Sequence, residues 1–120
     1  MLRSLFLFSL IVVAVLFFAA CSKSSGGGGV VTPGFCDGVV SKYAADVEPI
    51  IATSCLLGSN CHSSGSSNAG GELTDYNKVF NKRSQIRAAV NSGIMPQTGT
   101  LTLDQKKKII CWIDSGAPNN

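Results

Sequence analysis

Two thiols and an imidazole lie close together in Cys55-Leu56-Leu57-Gly58-Ser59-Asn60-Cys61-His62, and Met95-Pro96 follows downstream. His62 is the only histidine of the chain. Residues of these types in this order suit covalent haem attachment. In the compact Cys-x-x-Cys-His form each thiol adds across one haem vinyl group and the adjacent imidazole reaches the iron. A later methionine thioether fills the sixth position, which raises the reduction potential. Two intervening residues put both thiols on one helical turn. The five found here add three more, so part of the spacer must loop out. Gly58-Ser59-Asn60 suits that, being turn-prone and able to take left-handed backbone angles. The competing reading is a Cys55–Cys61 disulfide, whose alpha carbons need lie only about 4.4–6.8 Å apart. His62 would then sit on the surface and Met95 would be core filler.

The N-terminus sets the compartment. Arg3 supplies a positive start, Leu5 to Phe18 is an apolar run, and Ala19-Ala20 gives small residues before a cleavage point. Spanning a bilayer takes roughly 20 apolar residues, so this shorter run reads as a secretory signal over residues 1–20. Phe18-Ala19-Ala20-Cys21 resembles the bacterial lipoprotein box, with Phe in place of the commoner Leu. That resemblance implies a diacylglycerol on the Cys21 thiol and acylation of its amine, and several chains make a stable anchor. An ordinary signal peptide with a free cysteine behind it is the alternative. Export leaves Cys36, Cys55, Cys61 and Cys111 in an oxidising compartment, where unattached thiols pair. Loss of Arg3 takes the formal charge from +3 to +2. This mild balance, without a basic stripe, gives no support to nucleic-acid binding.

Residues 21–34 contain Gly26-Gly27-Gly28-Gly29 among Ser and Lys and read as a lipid-anchored flexible linker. The domain then spans 35–120. A chain this short buries only about 60% of its unfolded surface, so a prosthetic group or disulfides would help it. Its aromatics are Phe35, Tyr43, Tyr76, Phe80 and Trp112, a thin core.

The periodicity predicts an all-α domain. A first helix is expected over about Tyr43 to Ser54, with Val47, Ile50 and Ile51 inward and Pro49 near its start, leading into Cys55. Ser63 to Gly71 is a loop. Thr74 is expected to cap a segment carrying Tyr76, Val79 and Phe80, and Ser84 to cap a short helix ended by Gly93. Thr102-Leu103-Asp104-Gln105 fits a capping box for a last helix, with Ile109, Ile110, Trp112 and Ile113 as its buried stripe and Gly116 and Pro118 as its stop. Lys106 to Lys108 are expected on its wet side.

From Ala45 onward the chain resembles a small single-haem cytochrome c domain, of the kind carried by envelope lipoproteins of Bacteroidetes-type bacteria. The resemblance rests on five segments in order. Asp46-Val47-Glu48-Pro49-Ile50 precedes the Cys-x5-Cys-His site, Leu73-Thr74-Asp75-Tyr76 follows it, then Met95-Pro96, then Trp112-Ile113-Asp114-Ser115-Gly116-Ala117. It implies a small cytochrome c-like fold holding one haem c, with thioether bonds from Cys55 and Cys61 and axial ligation by His62 and Met95. It implies that the terminal helices pack across each other, so that Cys36 and Cys111 can bridge. The function implied is electron transfer with an envelope redox partner protein, from a membrane anchor at Cys21, facing periplasm or cell exterior. No enzyme activity is implied, because both axial positions are filled. The alternative is a haem-free, disulfide-stabilised envelope lipoprotein of the same fold, acting as a binding or structural module.

Other chemistry fits less well. A blue-copper site needs two histidines. A Cys3His zinc site would need reduced thiols in an oxidising compartment. The carboxylates Asp37, Asp46, Glu48, Glu72, Asp75, Asp104 and Asp114 show no catalytic spacing, and there is no phosphate loop. For Lys106 to Lys108, a solvated helix face competes with a docking patch for an acidic partner.

Overall fold

Three α-helices and one π-turn make up the regular structure in the computed structural model, which describes residues 31–120. No strand occurs among the described residues, so this part of the chain is all-α. The signal segment, Cys21 and the linker up to residue 30 lie outside the described residues.

The expected first helix is two pieces. A π-turn, Tyr43–Val47, runs into α1, Glu48–Ser54. The Lys42 carbonyl accepts from both Asp46 N and Val47 N, at 3.0 and 3.2 Å. Pro49, with no N–H to donate, sits in the first turn of α1, where the missing donor costs least. Asp46 holds the turn in place: it accepts from Lys42 N at 2.8 Å and pairs with Lys108 at 3.1 Å. The Lys42 amide, then Lys108, keep its carboxyl below the usual carboxylate range.

The two middle segments are one helix, α2, Tyr76–Ser92. Ser84 is an exposed interior residue and not a cap. No Gly or Pro interrupts the run, and Val79, Ile86 and Val90 form one buried stripe through it. Asp75, not Thr74, is the N-cap, accepting from Lys78 N at 3.0 Å. The Thr74 hydroxyl instead accepts from Lys78 Nζ. Gly93 ends α2 at φ 75°, a left-handed angle that glycine adopts at no steric cost.

The last helix, α3, Leu103–Asp114, has the expected capping box between Thr102 and Gln105. It packs against α2 and the π-turn. Ile109, Ile110, Cys111 and Trp112 are buried, and Ile113 is half-buried. The three lysines are less solvated than expected. Lys108 is paired with Asp46, and Lys107 lies over the Phe35 ring at 5.5 Å.

Trp112 is the centre of the core, with no exposed surface. Tyr43 and Tyr76 lie against it at 5.4 and 6.4 Å between centroids, and meet each other edge-on at 5.0 Å. The C-terminal tail wraps this cluster. Trp112 Nε1 donates to Pro118 O, Tyr76 OH to Ala117 O, and the Tyr43 and Ala44 amides to Asn120. Cys36 and Cys111 form a disulfide with alpha carbons 5.5 Å apart, tying the segment before the π-turn to α3. It links positions 75 residues apart, so replacing both cysteines with serine should lower unfolding free energy by about 4 kcal/mol on the loop-entropy model. Urea denaturation of parent and variant checks this; a loss below about 1 kcal/mol would contradict it.

Candidate functional site

Cys55, Cys61, His62 and Met95 line one cleft of about 540 Å³, within the usual range of ligand sites. They reach it from three separate stretches of chain. Cys55 directly follows α1, where its amide donates to Ile51 O at 2.8 Å. Cys61 and His62 end the spacer, and Met95 lies in the loop after α2, its amide donating to Ala89 O at 3.2 Å. Apolar walls come from Ile51, Leu73 and the α2 residues Ile86, Ala89 and Val90. Among the described residues, no carboxylate lines the cleft.

The spacer loops out, as its composition suggests, and one bond shows how. His62 N donates to Cys55 O at 3.0 Å. In a continuous helical turn that bond joins residues four apart; here they are seven apart. Three extra residues are therefore accommodated without losing the turn's closing bond. Internal bonds from Gly58 N to Leu56 O and Cys61 N to Gly58 O, both 2.9 Å, fold the loop. Gly58 sits at φ 123°, and Leu57 projects outward. Asn68 donates its side-chain amide to Asn60 O, and the Ser66 hydroxyl donates to Cys61 O, so the Ser63–Gly71 loop braces the spacer.

The imidazole is fixed at its far nitrogen. His62 Nδ1 lies 2.7 Å from Gly71 O. A carbonyl can only accept, so Nδ1 carries a proton, and in the neutral ring Nε2 then keeps its lone pair. Metal-bound histidines are oriented in this way, one ring nitrogen donating to a carbonyl while the other coordinates. Gly70 makes the approach possible: a Cβ there would stand 3.2 Å from His62 Cε1, and its φ is 103°.

Cys55 and Cys61 are both free thiols. Burial, and secondarily the neighbouring Cys61, pushes the Cys55 thiol up to about 11. Cys36 and Cys111 do not join this site, being bonded to each other. The Cys3His arrangement thus does not assemble. Among the described residues no cluster of three His, Cys, Asp or Glu side chains is placed to hold a metal ion. No helix among them is long and apolar enough to cross a membrane.

Sequence reading missed Gly70, Gly71, Lys82 and Gln85, all of which border the cleft or its histidine. The spacing of Lys82, Gln85, Ile86 and Ala89 along one helix face was the available signal for the last two. No protein-family model, curated protein or solved structure matches the chain.

Two outcomes are expected of the ligand-free chain. Alkylation of Cys55 by iodoacetamide, followed by peptide mapping, should show a pH–rate midpoint near 11 instead of the ordinary 9.0. A midpoint near 9 would mean the thiol is not buried. Nitrogen NMR of neutral His62 should show the proton on Nδ1. Gly70→Ala should mix the tautomers and lower stability by about 1–2 kcal/mol, since it forces a side chain into a positive-φ position. An unchanged spectrum would remove Gly70 from any positioning role.

Proposed function

We propose that the chain is a lipid-anchored, single-haem c-type cytochrome that carries electrons in the cell envelope, with the cytochrome c-like fold that its motifs suggest. The observation that carries this reading is the convergence of two free thiols, an Nδ1-protonated imidazole and a thioether on one apolar cleft. That donor set fits haem c in type and number. When bound, the haem supplies one-electron chemistry between two oxidation states of its iron.

The residues divide the work. Cys55 and Cys61 would hold the haem through thioether bonds. His62, its ring oriented by Gly71 O, and Met95 would be the two protein ligands of the iron. Ile51, Leu73, Ile86 and Val90 line the cleft and would keep water from the bound group, which with a thioether ligand would favour the reduced, less charged iron. With His62 and Met95 both holding the iron, no place would remain there for a substrate, and the role proposed is electron carriage and not catalysis. Acyl chains on Cys21 anchor it, and the linker lets the domain meet an envelope redox partner protein. A haem-free binding module of the same fold would leave the Nδ1-protonated imidazole and the paired free thiols beside Met95 without a use.

The deciding experiment is a denaturing gel stained for haem peroxidase activity, on protein made in a host with cytochrome c maturation. Stain should persist at the protein's own mass and weaken in Cys55→Ala and Cys61→Ala, vanishing in the double variant. His62→Ala should abolish the low-spin spectrum, and Met95→Ala should lower the reduction potential. A folded, colourless, unstained protein beside a stained control cytochrome would overturn the proposal.

A further inference from the structure

Four cations lie on α2: Lys78, Lys82, Arg83 and Arg87. Three have partners within the protein. Lys78 pairs with Glu72 at 2.8 Å and with Asp75 at 3.1 Å. Arg83 donates to Phe80 O at 2.8 Å and covers the Phe80 ring. Arg87 grips Asp114 through two bonds, at 2.6 and 2.9 Å. Lys82 alone has no hydrogen bond or ion pair among the described residues. It is half-buried, and it is the one charged side chain among those lining the cleft.

The one carboxylate that shares a hollow with Lys82 is already taken. Glu72 borders a smaller hollow beside Lys82, but its carboxylate is bound by Lys78 and by the Gly65 amide at 2.6 Å. An ammonium at an apolar wall with no anion is poorly placed unless a ligand brings one. Ile86 and Ala89 continue the same helix face toward the cleft's interior, and Gln85 stands three residues from Lys82 with amide donors of its own. The wall therefore joins an apolar stripe to one cation and one amide. That matches a flat apolar molecule bearing carboxylates at one edge.

We infer that Lys82, assisted by Gln85, holds a propionate carboxylate of the haem. The inference rests on the haem reading above and adds to it the residue that recognises the acidic edge of the macrocycle. Lys82 is thus a binding residue for the group's carboxylates, separate from the thiols that attach it and the ligands that hold its iron.

The test compares two probes on the full chain in detergent, iron protoporphyrin IX and its dimethyl ester, titrated by absorbance. Partition into the micelle affects parent and variant alike and cancels when their affinity ratios are compared. The diacid-to-ester affinity ratio should be at least about tenfold higher in the parent than in Lys82→Gln, the size expected of one charge-assisted hydrogen bond. Lys82→Arg should keep the parent's ratio. A ratio unchanged in Lys82→Gln overturns the inference and leaves the haem reading standing. A parent that binds neither probe also overturns the inference, whereas the haem reading itself falls only with an unstained gel.

Discussion

His62 is pinned at three points, and the site depends on that. Its amide donates to Cys55 O, its carbonyl accepts from Leu73 N at 2.9 Å, and its ring donates to Gly71 O. The first bond draws both ends of the long spacer together. The second starts the return of the chain toward α2, and the third sets the tautomer. Each is modest alone, since an intramolecular hydrogen bond contributes about 0.5–1.5 kcal/mol net. Together they leave the side chain one orientation, with Nε2 free. Without them Cys-x5-Cys-His would be three reactive residues on a loose loop.

The rest of the fold supplies two anchors for that arrangement. Ile51, buried at 2% exposure, and Leu73, at 5%, flank the motif in sequence and sit in the core, so the loop is fastened at both ends. The core they join is organised by Trp112, around which the tail from Ala117 to Asn120 closes. These tail bonds satisfy the Trp112 indole and the first amides of the π-turn, groups that would be costly to bury without partners. The cleft opens between this core and the Met95 loop, so its apolar wall is continuous with the hydrophobic core through Ile86 and Val90.

What was legible in the sequence follows from the range of the interactions involved. The capping box at Thr102 and Gln105 and the left-handed stop at Gly93 need only neighbouring residues, and both formed as read. Thr74 and Asp75 are adjacent and both can cap. Lys78 decided between them, its amide taking Asp75 and its ammonium Thr74. Ser84 misled because a good capping residue inside a helix looks the same in sequence as one at its start; the unbroken stripe from Val79 to Val90 outweighs it. In the cleft, Cys55, Cys61, His62 and Met95 could be named from identity and order. Gly71 could not, because it acts through a backbone carbonyl that any residue possesses. Spacing could place Lys82 on the cleft's helix face but not reveal its unpaired state, which depends on where the other cations on α2 find their partners.

The two cysteine pairs show how the same residue type takes opposite roles in one small domain. Cys36 and Cys111 bring together segments 75 positions apart, and their bond stabilises by restricting the unfolded chain. Cys55 and Cys61 are six positions apart, where the His62–Cys55 backbone bond already closes the loop, so a bond between their sulfurs would restrict far less. The fold therefore has little need of the second pair. It is held by the distant disulfide, the aromatic cluster and the tail, all of which lie outside the cleft lining. This separation leaves two half-buried thiols and one oriented imidazole free for chemistry, on a scaffold that does not rely on them to stay folded.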